Sequence, residues 1–297
     1  DAVGNRTGAN VNGAAIVYQT NNLNQYTSAG DATYQYDADG NLISKTDGSG
    51  TTFYQYDDEN RLSWVQTPSG DSWNYKYDAL GNRTAIIKNG ITTTYVHDPA
   101  GLVDLAAEYD NNGILIARYV YGLGLISRID AAGNPAYYNF DQSGNTRQIT
   151  NAAGSVINSY DYSPFGIPIQ TSETIPNPFR FSGEFGVATE EHALLFMRAR
   201  YYDSETGRFI SIDPKKFTSG INLYQYAKNN PITNIDPLGM DVWDELSLKW
   251  SVLSLGGGAI GLVGAGIALV AATPAVIAGG VCIATAGGLL SITAGLG

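Results

Sequence analysis

Aromatic and polar residues alternate along most of the first 175 residues, in short runs separated by turn-forming residues. The segments YQYDADGNLISKT (34–46) and YKYDALGNRTAII (75–87) show the unit best: an alternating run, an aspartate, two residues, Gly-Asn, and a second alternating run. Tyr and Thr at alternate positions favour a half-buried strand, and Asp-x-x-Gly favours a tight turn. Each unit is therefore predicted to be a β-hairpin.

The unit recurs at steps of 20, 21, 20, 24, 19 and 20 residues. Its marker is a Tyr-Asp pair or a degenerate form of it, found at 36–37, 56–57, 77–78, 97–98, 121–122, 140–141 and 160–161. A fixed period near twenty indicates an array of one supersecondary unit. Because isolated hairpins are marginally stable in water, successive hairpins are predicted to join into one long antiparallel sheet.

The repeated aspartates have two interpretations. As turn residues, they would accept hydrogen bonds from backbone amides two residues further on. As calcium ligands, several would be needed in each turn, and most turns contain only one or two. The spacing favours turns. The histidines, His97 and His192, stand alone in the sequence and are predicted to be structural, so neither a metal nor a cofactor is expected.

The composition excludes one class of partner. The chain has 297 residues and a formal net charge of −11, and all but two of these negative charges belong to residues 1–240. Such a surface repels phosphate backbones, so nucleic-acid binding is not expected. The single cysteine, Cys282, excludes an internal disulfide. The chain begins at Asp1 without a basic segment and apolar core, so it reads as part of, or a product from, a longer protein.

The C-terminal region has a different pattern. Residues 250–297 contain no Asp, Glu, Lys, Arg or His. About 20 apolar residues suffice for a membrane-spanning helix, so two transmembrane helices are predicted near 252–272 and 275–296, forming a helical hydrophobic hairpin. Small residues four apart, as at Gly257 and Gly261, would let the helices approach closely. A buried pair of core helices is the alternative.

Two Ile-Asp-Pro triplets precede this change of composition. Their aspartates, Asp213 and Asp236, are 23 residues apart, and the second triplet ends just before the apolar region. Proline after aspartate is a common way to begin a turn. On spacing alone, turn formation is the simpler interpretation of both triplets.

Several blocks of the chain resemble a known family. Beside the Tyr-Asp repeats, the blocks are EYDNNGILIARYVYGLGLISRID (108–130), FDQSGNTRQITNAAGSVINSYDYSPFG (140–166), NPFRFSGEFG (177–186), RARYYDSETGRFISIDP (198–214) and NLYQYAKNNPITNIDPLGM (222–240). Over roughly residues 30 to 240 the chain resembles the YD-repeat proteins: Rhs proteins, bacterial toxin-complex C components and teneurins. The resemblance implies a β-sheet wound into a hollow shell that encapsulates a C-terminal polypeptide, usually a toxin.

The resulting prediction is a mostly β fold with four parts. YD-repeat hairpins would form a long antiparallel curved or spiralling sheet, a shell fragment that is followed by the helical hydrophobic hairpin. The parts are a partial or degenerate repeat (1–30), the YD repeats (31–175), the closing segment or plug of the Rhs core (176–240), and an apolar Gly/Ala-rich tail (241–297). Six or seven repeats would give the C-terminal end of a shell or an open curved sheet.

The resemblance also implies self-cleavage. Rhs cores have two DPxG motifs near this spacing and are cut after the apolar residue that follows. Two carboxylates forced together cannot both ionise, so one acts as an acid while the other activates water. Carried over by position, Asp213 and Asp236 are the catalytic pair and Arg208 holds or polarises one carboxylate. The scissile bond joins Met240 to Asp241.

One departure from the family pattern bears on this activity. The second motif, Asp236-Pro237-Leu238-Gly239, is intact, whereas the first has Lys216 where the pattern has glycine. Lys216 would either alter the first turn or pair with an aspartate.

Three functions follow from these observations. The first is a polymorphic-toxin carrier, secreted or at the cell surface, whose shell encloses and releases its own membrane-active tail. Its partners would be this tail as cargo, the target-cell membrane, a secretion-system delivery module and an immunity protein. The second is a membrane-anchored surface protein for adhesion or carbohydrate contact, without cleavage. The third is a self-cleaving, single-turnover aspartic-type protease alone.

Overall fold

The computed structural model describes residues 1–11, 13–99, 104–216 and 220–240, and the backbone at 243–244, 281–285 and 288–292. Strands dominate this part of the chain. The first seventeen are β1 Gly8–Val11, β2 Ala14–Thr20, β3 Tyr26–Ala29, β4 Ala32–Tyr36, β5 Leu42–Asp47, β6 Gly50–Tyr56, β7 Leu62–Gln66, β8 Ser72–Tyr77, β9 Arg83–Lys88, β10 Ile91–Asp98, β11 Asp104–Tyr109, β12 Leu115–Tyr121, β13 Leu125–Asp130, β14 Pro135–Phe140, β15 Thr146–Asn151, β16 Val156–Tyr162 and β17 Pro168–Glu173.

These strands form one 17-stranded antiparallel sheet, which confirms the prediction from the repeat. Each strand pairs with the next one along the chain, from β1–β2 through to β16–β17. The connectivity is a meander, because each tight turn places a strand antiparallel to, and directly beside, the strand that precedes it.

The turns confirm the structural role of the repeated aspartates. The carboxylate of Asp78 accepts hydrogen bonds from the backbone N–H groups of Leu80 and Asn82, each at 2.9 Å. The fourth turn residue, Gly81, has φ of +87°, a left-handed conformation that glycine adopts without strain. Equivalent bonds are made by Asp37, Asp57, Asp110, Asp130 and Asp141.

Alternation along the strands gives the sheet one buried face. Tyr54 in β6 is buried, whereas its neighbours Phe53 and Gln55 are exposed. The same alternation recurs in β4, β8, β12 and β14, as expected of a half-buried sheet. The buried tyrosines of this face include Tyr18, Tyr26, Tyr34, Tyr54, Tyr75, Tyr119, Tyr138 and Tyr160.

Residues 176–216 and 220–240 pack against this buried face, and we call the segment 176–240 the plug. It contains the antiparallel strands β18 Ala188–Thr189, β19 Leu194–Met197, β20 Arg200–Asp203 and β21 Arg208–Phe209, the short strand β22 Asn234–Ile235, and 3-10 turns at Gly183–Phe185 and Ala227–Asn229. Leu194 and Tyr201 join the core formed by the first half of the sheet, and Phe179 joins that of the second half. The plug therefore supplies the apolar partner that the sheet needs.

The described backbone of the tail differs from the predicted helices. The first predicted span, 252–272, lies outside the described residues. Within the second, β24 Val281–Thr285 and β25 Gly288–Ile292 pair as an antiparallel hairpin. Residues 281, 283 and 285 are β-branched at alternate positions, which favours a strand. In the part of the chain that the structure describes, no helix has the length and hydropathy needed to cross a bilayer.

Candidate functional site

Asp213 and Asp236 meet at a single guanidinium, that of Arg200. Its Nη2 lies 2.9 Å from Asp213 Oδ2 and 3.5 Å from Asp236 Oδ2. All three side chains are buried, with exposed fractions of 2% for Arg200, 6% for Asp213 and 1% for Asp236. The fold thus brings together the two carboxylates that the sequence separates by 23 residues.

Arg200 is held by the interior of the plug. It begins β20, its guanidinium lies 3.6 Å from the ring centre of Phe209, and its Nη1 donates a hydrogen bond to the Leu223 carbonyl at 3.0 Å. Burial lowers the pKa of Arg200 to about 10, against the opposing effect of the two carboxylates. Arg200 is therefore still a cation at neutral pH and can pair with both acids.

The first Asp-Pro turn keeps its shape despite Lys216. The N–H of Lys215 donates to Asp213 Oδ1 at 2.7 Å, and the N–H of Lys216 donates to the Asp213 carbonyl at 2.8 Å. Lys216 has φ of +53°, in the left-handed region that the glycine of the family motif would adopt easily. The lysine therefore costs conformational energy without abolishing the turn.

The second aspartate lies beside the predicted scissile bond. Asp236 Oδ1 accepts a hydrogen bond from the N–H of Met240 at 3.1 Å, and the Asp236 carbonyl accepts one from Gly239 at 3.3 Å. Gly239 has φ of +66°, and a Cβ there would lie 2.6 Å from the Met197 carbonyl oxygen. Only glycine lets the chain approach β19 this closely.

Residues 198–200 hold the three peptides that precede Met240, and we call this run the carbonyl clamp. Each clamp residue donates a hydrogen bond to one carbonyl of residues 237–239, in order. The distances are 3.0 Å from Arg198 Nη1 to Pro237 O, 3.2 Å from Ala199 N to Leu238 O, and 2.5 Å from Arg200 Nε to Gly239 O. The segment leading to the predicted cut is thus fixed to the same arginine that pairs the aspartates.

The chain folds back beyond the predicted cut. Asp241 itself lies outside the described residues, but β23, Trp243–Asp244, pairs antiparallel with β22, in the register Asn234 with Asp244 and Ile235 with Trp243. Met240 therefore lies between two segments of the chain that pair with each other.

The structure gives Arg208 a different set of contacts. Its guanidinium donates to Asn5 Oδ1, to the Asn24 carbonyl at 2.6 Å and to Asn222 Oδ1 at 3.2 Å, and it lies 4.0 Å from the ring centre of Tyr26. These contacts join the plug to the first repeat. The cation that contacts both aspartates is Arg200, which lies in the same sequence block, RARYYDSETGRFISIDP.

Arg200 was missed by the sequence reasoning, although a signal was present. Two arginines at alternate positions, 198 and 200, stand between the apolar strand β19 and the two tyrosines of β20. A charged residue inside such a strand requires a buried partner of opposite sign. That rule points to the nearby aspartates, but it does not say which arginine meets which acid.

His192 has structural contacts. Its Nε2 lies 2.5 Å from the Tyr75 hydroxyl oxygen, and its ring packs edge-on against Trp73 with centres 5.0 Å apart. Burial lowers the pKa of His192 to about 3, so the ring is neutral at ordinary pH. This agrees with the structural role predicted for it.

The geometry fits aspartic-type acid and base chemistry. Two buried carboxylates share one cation, and one of them contacts the amide of the residue that precedes the predicted cut. A carboxylate pair with unequal environments can supply a base and an acid together.

Comparison with known proteins assigns the repeat sheet and plug to a family. The teneurin YD-shell family model matches residues 1–232. The tRNA nuclease WapA of Bacillus subtilis strain 168 is 33% identical over 233 residues, which cover 75% of this chain and 10% of the relative. The toxin protein Tse5 of Pseudomonas aeruginosa is 28% identical over 252 residues, which cover 70% of this chain and 18% of the relative.

Solved structures share the fold. The crystal structure of TcdB2-TccC3 matches with a TM-score of 0.52 and 18% identity, covering 76% of this chain and 16% of that one. The Tc holotoxin pore of Photorhabdus luminescens matches with a TM-score of 0.53 and 16% identity, covering 76% and 15%. The chain thus spans less than a fifth of the length of each of these four proteins.

Proposed function

The chain belongs to the teneurin YD-shell family, and on that premise we propose that it is the C-terminal part of an Rhs-type polymorphic-toxin carrier. In this proposal the sheet and plug enclose the C-terminal segment, and the chain cuts itself once between Met240 and Asp241. Toxins among its relatives support the carrier role. Secretion or surface delivery, a delivery module and an immunity protein belong to the same proposal.

The observation that carries the cleavage proposal is the buried pairing of the two carboxylates beside Met240. Asp213 lies closer to Arg200 than Asp236 does, at 2.9 Å against 3.5 Å. Asp213 is assigned the role of the base, and Asp236, whose Oδ1 accepts a hydrogen bond from the N–H of Met240, is assigned the role of the acid.

The reaction is a hydrolysis of one peptide bond. Asp213 accepts a proton from a water molecule, whose oxygen attacks the Met240 carbonyl carbon, while Asp236 donates its proton toward the carbonyl oxygen. Collapse of the tetrahedral intermediate breaks the C–N bond. The nitrogen of Asp241 gains the proton that Asp213 took from water and leaves as an amine, while a hydroxyl of the intermediate returns a proton to Asp236 and the carboxyl group of Met240 forms. The carbonyl clamp keeps the peptide from moving away during these steps.

The intact mass of the purified 297-residue chain tests the cleavage. The wild type should give two masses, for residues 1–240 and 241–297, with a new N-terminus at Asp241. Asp213→Asn and Asp236→Asn should each give one uncut chain, because each removes one member of the pair. Asp141→Asn, a change in a repeat turn, is the matched control and should still be cut.

An uncut wild type would overturn the cleavage proposal. It would favour the other candidate, a membrane-anchored surface protein, because an anchor has to remain attached to the sheet.

We further propose that the tail acts on membranes. Residues 250–297 lack charged side chains and histidine, so water is a poor solvent for this segment and a bilayer is a good one. Purified residues 241–297 should release dye from liposomes, whereas the uncut Asp236→Asn chain should release little because its tail stays joined to the plug. Neither insertion nor leakage by the free tail would contradict this part.

A further inference from the structure

One ion pair links the repeat sheet to the carbonyl clamp. Asp104 is the first residue of β11, and its Oδ1 lies 2.9 Å from Arg198 Nη2. The other terminal nitrogen of the same guanidinium, Nη1, donates to the Pro237 carbonyl at 3.0 Å. A single side chain therefore connects a sheet strand with the segment that precedes the proposed cut.

The backbone around this ion pair leaves little space for other atoms. Arg198 has φ of +54°, a conformation that costs energy for a residue with a side chain. A Cβ on Gly186 would lie 3.1 Å from Arg198 Nη2 and 3.2 Å from Asp104 Oδ1. The two side chains are largely buried, with exposed fractions of 18% and 19%. Strain and close packing at one contact show that the fold determines where Arg198 lies.

The charges of the pair depend on each other. Burial raises the pKa of Asp104 and lowers the pKa of Arg198, so burial disfavours the charged form of both groups. Each partner opposes that effect in the other. Without Asp104, Arg198 loses the carboxylate that fixes its Nη2 at β11, so the guanidinium is less firmly placed and its hydrogen bond to the Pro237 carbonyl is weakened.

We propose that Asp104 is a positioning residue for self-cleavage, acting through Arg198 to place residues 237–240 at the aspartates only when β11 is in the sheet. The inference rests on the proposed function. Its consequence is a dependence of the cut on shell assembly: a chain whose sheet is incomplete at β11 holds the cleavage segment loosely and is cut slowly.

Other ion pairs between sheet and plug provide controls. Lys45 in β5 contacts Glu205 at 2.5 Å, and Lys88 in β9 contacts Glu191. These acids lie in plug loops outside the carbonyl clamp. Removing them perturbs docking of the plug by a similar charge change, but it leaves the contact between Arg198 and Pro237 intact.

The rate of self-cleavage during cell-free synthesis tests the proposal. The full chain is pulse-labelled, and the uncut fraction is followed over time on denaturing gels. Asp104→Asn should slow the cut by about 10- to 100-fold, the effect of losing a charged hydrogen-bond partner. Asp104→Glu should recover most of the rate, and Glu205→Gln should stay within about twofold of wild type. A wild-type rate for Asp104→Asn, or equal slowing by Glu205→Gln, would refute the proposal.

A second measurement does not depend on cleavage. In the uncut Asp213→Asn background, amide hydrogen exchange reports the N–H groups of Gly239 and Met240, which both donate to Asp236. Adding Asp104→Asn should speed their exchange about tenfold or more, whereas adding Glu205→Gln should not. If the wild type proves uncut, the proposed function fails, and unchanged exchange would separately refute the positioning role.

Discussion

At the scale of single residues, Lys216 is one of several non-glycine residues with a left-handed backbone. Its φ of +53° lies in the left-handed region, which glycine adopts without strain, and the family motif has glycine at this position. Lys216→Gly should therefore raise the free energy of unfolding by about 1 kcal/mol. Urea denaturation in the uncut Asp213→Asn background measures it.

The neighbouring lysine gives the matched control for this change. Lys215 is exposed like Lys216, but it is not in the left-handed region. Lys215→Gly should lower stability, because glycine only adds freedom to the unfolded chain there. Equal losses in both variants would show that the backbone at Lys216 is not strained.

Residue chemistry also sets how far the sequence could predict the site. Asp213 and Asp236 were identifiable because each stands in a short local motif with proline. Arg200 was indicated only as a charge that needs a buried partner, and Asp104 was not indicated at all, since their roles depend on which side chains meet in space. Asp104 and Arg198 are 94 residues apart, and no local pattern marks the pair.

At the scale of elements, the aspartates of the repeat turns stabilise the turns that join successive strands. Asp57 accepts hydrogen bonds from Glu59 N at 3.1 Å and from Arg61 N at 2.9 Å, and it also pairs with the Arg61 side chain. Asp57→Ala should lower the free energy of unfolding by about 1–2 kcal/mol, because these amides lose their acceptor.

The same turn contains a control. Asp58 is exposed and directly follows Asp57, so Asp58→Ala changes the net charge equally and should alter stability by less than about 0.5 kcal/mol. Thermal or urea unfolding of the two variants compares them. A similar loss in both would mean that charge, rather than turn geometry, explains the aspartate repeat.

Elements were predictable where the signal was local. Strand alternation recurs along the repeats, and several turns have the form Asp-x-x-Gly, with Asn60 in place of glycine in the turn at Asp57, so the sheet and its turns follow from the sequence. The tail gave two conflicting signals. Small residues four apart favour a close pair of helices, whereas β-branched residues two apart favour a strand. At 281–285 and 288–292 the strand pattern agrees with the described backbone.

At the scale of the whole molecule, a buried ion pair joins the plug to the sheet. Arg83 Nη1 lies 2.6 Å from Glu190 Oε1, and their side chains have exposed fractions of only 6% and 5%. Glu190→Ala should cost about 3–5 kcal/mol of unfolding free energy, because a buried cation loses its partner. Glu191→Ala removes the adjacent acid, whose side chain is 65% exposed, and should cost less than about 1 kcal/mol.

Urea denaturation of these two variants in the uncut background gives both values. Comparable costs would indicate that Arg83 finds water or another acid when Glu190 is lost.

The meander also has a consequence for the timing of folding. Strands that pair only with their chain neighbours close short loops, so the sheet can grow while the chain is being synthesised from its N-terminus. The plug behaves differently: Asn222 bonds to the Val3 carbonyl across 219 residues. Its contacts with the first repeat can form only after residue 222 has been synthesised. The peptide that follows Met240 is made later still, so on the proposed function the cut becomes possible only once the residues for these contacts exist.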